Sequence, residues 1–224
     1  MQPWIHLASA IAPEGDRLRL SRRGEEFSIR LEGGNELMNS RLGGSEEALA
    51  TLSFEALPKV AAPRVLIGGL GMGFTLRAAQ DVASSQAELV VAEIVPELVS
   101  WATEQMAPVF GDCLNDPRVR VEIGDVAEMI RSAQGRFEAI MLDVDNGPDG
   151  LTRADNDGLY SVAGLNAARR ALSSNGVLAI WSAHPDPAFT RRLEQCGFKA
   201  TVHSVRASRA KRGSRHTIWI AKAG

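Results

Sequence analysis

VLIGGLGMGF (Val65 to Phe74) reads as a strand that runs into a glycine-rich turn. Val65 to Ile67 is apolar without alternation, the pattern of a strand covered on both faces. Gly69, Gly71 and Gly73 let the backbone turn sharply and approach a ligand closely, and the helix that follows offers free N–H groups at its start. Three further segments have the same form: LVVAEIV (Leu89 to Val95), VRVEIGD (Val119 to Asp125) and FEAIMLDVD (Phe137 to Asp145). Each is an apolar run ending in glycine or a carboxylate. Buried parallel strands read this way when a nucleoside lies across their carboxyl ends.

The segments between these runs have helical spacing, and GVLAIWS (Gly176 to Ser182) follows the helix-like GLYSVAGLNAARRAL as a fifth strand. Strand–helix alternation of this kind means a parallel α/β sheet. The carboxyl end departs from it. KATVHSVRAS and RHTIWIAKA are strand-like runs joined by a loop near Lys211 to Ser214 with no crossover helix, so an antiparallel hairpin closes the sheet. Trp219 alternates within the last run and is expected to be packed. At the other end, RLRLS (Arg17 to Ser21) and EFSIRLE (Glu26 to Glu32) alternate around Arg23-Gly24, and Gly33-Gly34 turns into ELMNS, giving a small antiparallel meander. SEEALATLSFEALP then reads as a helix with Ser45 as N-cap, two acids in its first turn and its end at Pro58. The expected division is a β-rich extension over 1–44 and a Rossmann-like domain over 45–224.

The 224 residues carry a formal charge of −2 with both signs interspersed, so no global field favours nucleic acid or a membrane surface. The basic cluster Arg206, Arg209, Lys211, Arg212 and Arg215 lacks interleaved aromatics and reads as a solvated hairpin tip. Cys113 and Cys196 are far apart and outside any C-x-x-C, which suggests neither a disulfide framework nor a zinc site, and no other metal site is expected. MQPWIHLASAIAPEGD lacks the basic and apolar regions of a signal peptide, and no run is long enough to span a bilayer. The expected compartment is the cytoplasm.

The dinucleotide fingerprint G-x-G-x-x-G requires Gly or Ala where this chain has Phe74, which argues against a pyrophosphate cofactor. Glu93 ends the next strand about 20 residues beyond the glycines, where a carboxylate accepts both ribose hydroxyls. Gly124-Asp125 ends the third strand, placing an acid, with Val126 beside it, against a purine edge. Trp181, Ser182 and His184 follow the fifth strand and are candidates for an acceptor pocket, although a tryptophan in an apolar strand is as readily core.

The succession VLIGGLGMGFTLRAA, LVVAEIVPELVSWA, RVRVEIGDVAEMI and FEAIMLDVDNGP resembles the spermidine synthase family of polyamine aminopropyltransferases, within the class I S-adenosylmethionine-dependent methyltransferase fold. The resemblance implies a seven-stranded, mostly parallel sheet with an antiparallel last strand, a β-rich N-terminal cap, and decarboxylated S-adenosylmethionine or S-adenosylmethionine at the strand ends. It further implies an amine such as putrescine as acceptor and, as in many members, a homodimer formed through the N-terminal region. Glu93 then holds the ribose, Asp125 contacts the adenine, and Asp143 helps deprotonate the amine. Elementary chemistry agrees with that last role. A primary amine of pKa ~10 is no nucleophile at neutral pH until a base takes its proton, and displacement beside a sulfonium needs only alignment and no covalent enzyme intermediate.

The departures from the family pattern fall on the amine side. D-S-S-D-P-x-G-P is shortened to DVDNGP, with Asp145 nearest the second acid. Met72 stands where the family's glycine loop carries an Asp, and Tyr-His-Glu has become Ser45-Glu46-Glu47, which leaves Glu47 as the substrate-facing acid. Three functions remain open: an aminopropyltransferase, a small-molecule methyltransferase, or a non-catalytic nucleoside-binding protein.

Overall fold

The structure is a computed structural model that describes residues 2–13, 15–144, 148, 156–208 and 214–224. The chain opens with four strands, β1 (Ile5–Ile11), β2 (Arg17–Arg23), β3 (Glu26–Leu31) and β4 (Glu36–Asn39), which pair antiparallel in sequence order. The expected meander is therefore three strands plus an unforeseen first one. IHLASAI hides its strand character because Ile5 and Ile11 are exposed and the register shifts between His6 and Ala8, so no clean alternation survives.

Helix α1 (Gly44–Ala56) follows. Its N-cap is Gly43 and not Ser45. The Gly43 backbone sits against the Phe74 ring, where any Cβ would collide, and Ser45 lies one step inside the helix with its side chain buried. Leu57 caps the other end, just before Pro58.

The second sheet alternates strand and helix: β5 (Arg64–Gly68), α2 (Phe74–Val82), β6 (Glu88–Glu93), α3 (Pro96–Thr103), α4 (Ala107–Phe110), β7 (Val119–Ile123), α5 (Val126–Ser132) and β8 (Phe137–Leu142). After it come α6 (Asn156–Tyr160), α7 (Val162–Ala171), β9 (Leu172–Ser182), α8 (Pro187–Gln195), β10 (Phe198–Arg206) and β11 (Arg215–Ala223). The stretch expected as one helix after the acidic loop is two, because Ser161 takes an N-cap conformation and accepts the Gly164 N–H. Strand order is β10-β11-β9-β8-β5-β6-β7, parallel from β7 to β9, with β11 antiparallel to both of its neighbours.

Side chains alternate between two cores, one on each face of this sheet. Val65, Ile67, Leu89, Val91, Ala139, Met141 and Trp181 point toward α1, α2 and the N-terminal sheet. Leu66, Val90, Ile140, Leu142, Ile180 and Trp219 point toward α5, α7 and α8. Trp219 is fully buried and its indole N–H donates to Thr190 Oγ1 at 2.8 Å. Among the described residues no helix is long and apolar enough to cross a membrane.

Candidate active site

The strand order reverses between β5 and β8, and a crevice opens at the carboxyl ends there. The turn after β5 is made by Gly69, Gly71 and Gly73, all at positive φ (86°, 51° and 73°). Glu93, at the end of β6, holds this turn in place. One of its oxygens accepts the Leu70 N–H at 2.9 Å and the other the Val95 N–H at 2.8 Å. The Glu93 carboxylate is buried, which raises its pKa against the opposing pull of those backbone bonds.

Glu93, Gly69, Gly71, Asp125, Val126 and Asp143 line one cavity of about 170 Å³. Leu18, Leu31, Leu37 and Met38 of the N-terminal sheet cover it, with Ala12, Pro13 and Asp16 at its edge. Asp125 also caps α5, accepting the Ala127 N–H at 2.7 Å. Gly73 lies on the far side of its turn. A Cβ there would come within 2.6 Å of Phe110 and 2.8 Å of Arg77 Nη1, so this glycine answers to packing behind the loop.

A second cavity of about 130 Å³ adjoins the first and shares Leu37, Met38, Gly71 and Asp143 with it. Its remaining walls are Asn39, Glu46, Leu70, Met72, Phe74, Thr75 and Trp181. Asp143 thus stands where the two spaces meet. Its backbone N–H donates to Gly68 O at 3.2 Å, continuing the β5–β8 pairing, and its Oδ2 accepts the Thr75 hydroxyl at 3.2 Å. Burial pushes the Asp143 carboxyl up to about 6 in spite of that bond. Glu46 is pushed up to about 8, by burial first and by the Asp143 charge second, with the Ser45 hydroxyl pulling the other way. Burial thus disfavours the charged form of both carboxyls, and the Asp143 charge further disfavours ionisation of Glu46.

With the strand order, the covering sheet and the two cavities in view, comparison with solved structures is direct. The spermidine synthase of Thermotoga maritima superimposes with a TM-score of 0.76 at 19% identity, over 98% of this chain and 72% of that one. A spermidine synthase in complex with the transition-state analogue AdoDATO gives the same figures. A probable spermidine synthase from Corynebacterium glutamicum gives 0.68 at 16% identity, over 98% of this chain and 79% of that one. The fold is that of the spermidine synthases. No protein-family model and no curated protein matches the sequence.

On this spermidine synthase fold, Gly69, Gly71, Glu93, Asp125, Val126 and Asp143 line one cavity. Glu47 does not join them. A helix turns ~100° per residue, so Glu47 faces a separate hollow with Thr51, Phe74, Arg77 and Cys113, while its neighbour Glu46 faces Asp143. Asp145 lies outside the described residues, as do Arg209, Lys211 and Arg212 of the basic cluster. Trp181 lines the second cavity, whereas His184 is exposed beyond it. Sequence reasoning passed over Glu46, and also His216, whose Nδ1 lies 2.8 Å from Ser45 Oγ. Thr75 had a signal in the T-L-R that follows the glycines. A single histidine near the carboxyl terminus carried none.

Proposed function

We propose that the chain transfers an aminopropyl group from decarboxylated S-adenosylmethionine to an amine such as putrescine, by in-line displacement with Asp143 as base. The observation that carries this reading is the position of Asp143 at the junction of the two cavities. On one side Glu93 and Asp125 offer carboxylates to a nucleoside's ribose and purine edge; on the other Glu46 offers a second carboxyl group as a hydrogen-bond acceptor for an ammonium. An amine in the second cavity meets Asp143 as it approaches a carbon next to a sulfonium in the first. Asp143 takes its proton, the freed nitrogen lone pair forms the new C–N bond, and the C–S bonding pair leaves with sulfur as a neutral thioether. The free thiols Cys113 and Cys196 suit a reducing, cytoplasmic setting.

Methyl transfer from S-adenosylmethionine is the second reading, favoured by Met72. Its buried thioether side chain gives the glycine loop an apolar wall in the second cavity, where the terminal cation of an aminopropyl group gains nothing from that residue. Calorimetric binding of both donors, each with and without putrescine and spermidine, separates the two. Preference for the decarboxylated donor, strengthened by an amine, supports aminopropyl transfer. Preference for the carboxylated donor without amine coupling moves the assignment to methyl transfer, and binding of neither overturns both.

A further inference from the structure

Asp143 and Glu46 face a cavity roofed by Leu37, Met38 and Phe74, and any proton taken from an ammonium there must leave before the next turnover. We propose that Ser45 and His216 are the exit, a hydrogen-bonded relay from the Glu46–Asp143 pair to the protein surface. This rests on the reading of the site as one that deprotonates an amine.

From Glu46 outward the contacts form one continuous line, and Asp143 lines the same cavity as Glu46. Ser45 is fully buried near the start of α1, with its Oγ 2.5 Å from Glu46 Oε2 and 2.8 Å from His216 Nδ1. A serine in the first turns of a helix ordinarily spends its hydroxyl on its own backbone. Ser45 instead links a cavity acid to a side chain 171 residues away. His216, on β11, is half-exposed, and its ring stands edge-on to Trp181 at 4.7 Å, the same Trp181 that walls the second cavity. Among the described residues, few groups pack around this histidine. Val205 is opposite on β10, Trp181 and the exposed His184 come from the end of β9, and Arg215 beside it bonds Ser204. Burial and the nearness of His184 both oppose lasting charge on His216, so it passes a proton on instead of keeping it.

The step balances without any co-reactant. The substrate N–H bond breaks and its proton joins the carboxyl pair. The Ser45 hydroxyl, which donates to Glu46 Oε2 in the structure, turns to His216 Nδ1 once Glu46 is protonated; Glu46 Oε2–H then donates to Ser45 Oγ as the serine's own hydrogen moves to His216 Nδ1. The resulting imidazolium releases its Nε2 proton to water, the proton on Asp143 moves to the vacated Glu46 carboxylate, and the chain resets when the imidazole changes tautomer. Ser45 and His216 touch no substrate; both are positioning residues that act through Glu46.

Two measurements on the full chain test this. The first needs no turnover: in protein labelled with ¹⁵N in the histidine rings, Ser45→Ala is expected to change the His216 tautomer signature, and Glu46→Gln to move the His216 titration. If neither variant alters His216, the chain of contacts is absent and the relay is overturned. The second uses decarboxylated S-adenosylmethionine and an accepted amine. His216→Gln can still bond Ser45 but cannot ferry a proton, so kcat is expected to fall tenfold or more with KM and donor affinity changed less than twofold. His216→Ala is expected to recover with added imidazole in a concentration-dependent way. Wild-type turnover in His216→Gln across pH 6 to 9 overturns the relay. If the wild type transfers to no amine from either donor, the transfer reading fails by itself, and the histidine signals then decide the relay: a His216 titration coupled to Glu46 supports it, an uncoupled one overturns it.

Discussion

Thr75 and Asp143 meet over the top of the sheet, the hydroxyl from the first turn of α2 donating to Oδ2 of the acid that follows β8 at 3.2 Å. This bond favours the ionised acid, while burial favours the neutral one and prevails, leaving Asp143 near 6. Thr75→Val removes the opposing bond, so the Asp143 pKa is expected to rise by roughly one unit, the size of one hydrogen bond of ~1 kcal/mol. The acid limb of kcat/KM then moves to higher pH. Asp143→Asn is the limiting case. Transfer is lost, while nucleoside affinity measured by calorimetry stays within a few fold.

Glu46→Gln separates charge from shape. Below its ordinary value of 4.5, Glu46 is protonated folded or unfolded, and variant and wild type differ little in stability on this account. As pH rises from there, the unfolded chain ionises freely while the folded one resists until about 8, so wild-type stability is progressively lost. The variant avoids that loss. Its melting temperature is expected to exceed wild type at pH 9 and to approach it at pH 4; a constant offset across that range would show that Glu46 is not held neutral by its surroundings.

Glu93→Ala removes both the carboxylate that faces the first cavity and the acceptor for two backbone N–H groups. Each buried donor left unpaired costs ~1–3 kcal/mol, so thermal stability falls together with nucleoside affinity. A binding titration well below the variant's melting range reads the affinity loss, and its melting temperature reads the stability loss. Unchanged affinity in the folded variant would remove Glu93 from the ribose.

Gly71→Ala and Gly73→Ala, two residues apart in one turn, are expected to behave differently. Both glycines have positive φ, which costs an alanine ~1 kcal/mol or more. At Gly71 a Cβ meets nothing within 4 Å and projects where the two cavities join, so ligand binding should suffer more than folding. At Gly73 it meets Phe110 and Arg77, so denaturant midpoints should fall more than ligand affinity does.

The sheet was legible because a buried parallel strand must be apolar on both faces, and VLIGG, LVVAE and FEAIML leave no other reading. β1 was not, because an edge strand with Ile5 and Ile11 in solvent has no pattern to match. Within the site, residues at strand ends were predictable, since topology alone carries Glu93, Asp125 and Asp143 to one crevice. The helix contribution was not. Choosing between Glu46 and Glu47 requires the rotation of α1 about its axis, which is set by the contact of Gly43 with Phe74 and by the bond from Gly44 N–H to Ala207 O. Both are tertiary, and neither has a local signature.

That bond and the Ser45–His216 contact both join the beginning of α1 to the C-terminal hairpin. The acid pocket therefore depends on the first and last parts of the chain meeting, while β5 to β9 already bring together the strand-end residues of the nucleoside side. Contacts this distant in sequence form late, because a long loop must close before they contribute. A chain still emerging from the ribosome, with β11 not yet made, would have the strand-end crevice before it had a finished acid pocket. The strand-end crevice would then be in place before the acid pocket during synthesis, and β11 would set when the pocket is complete.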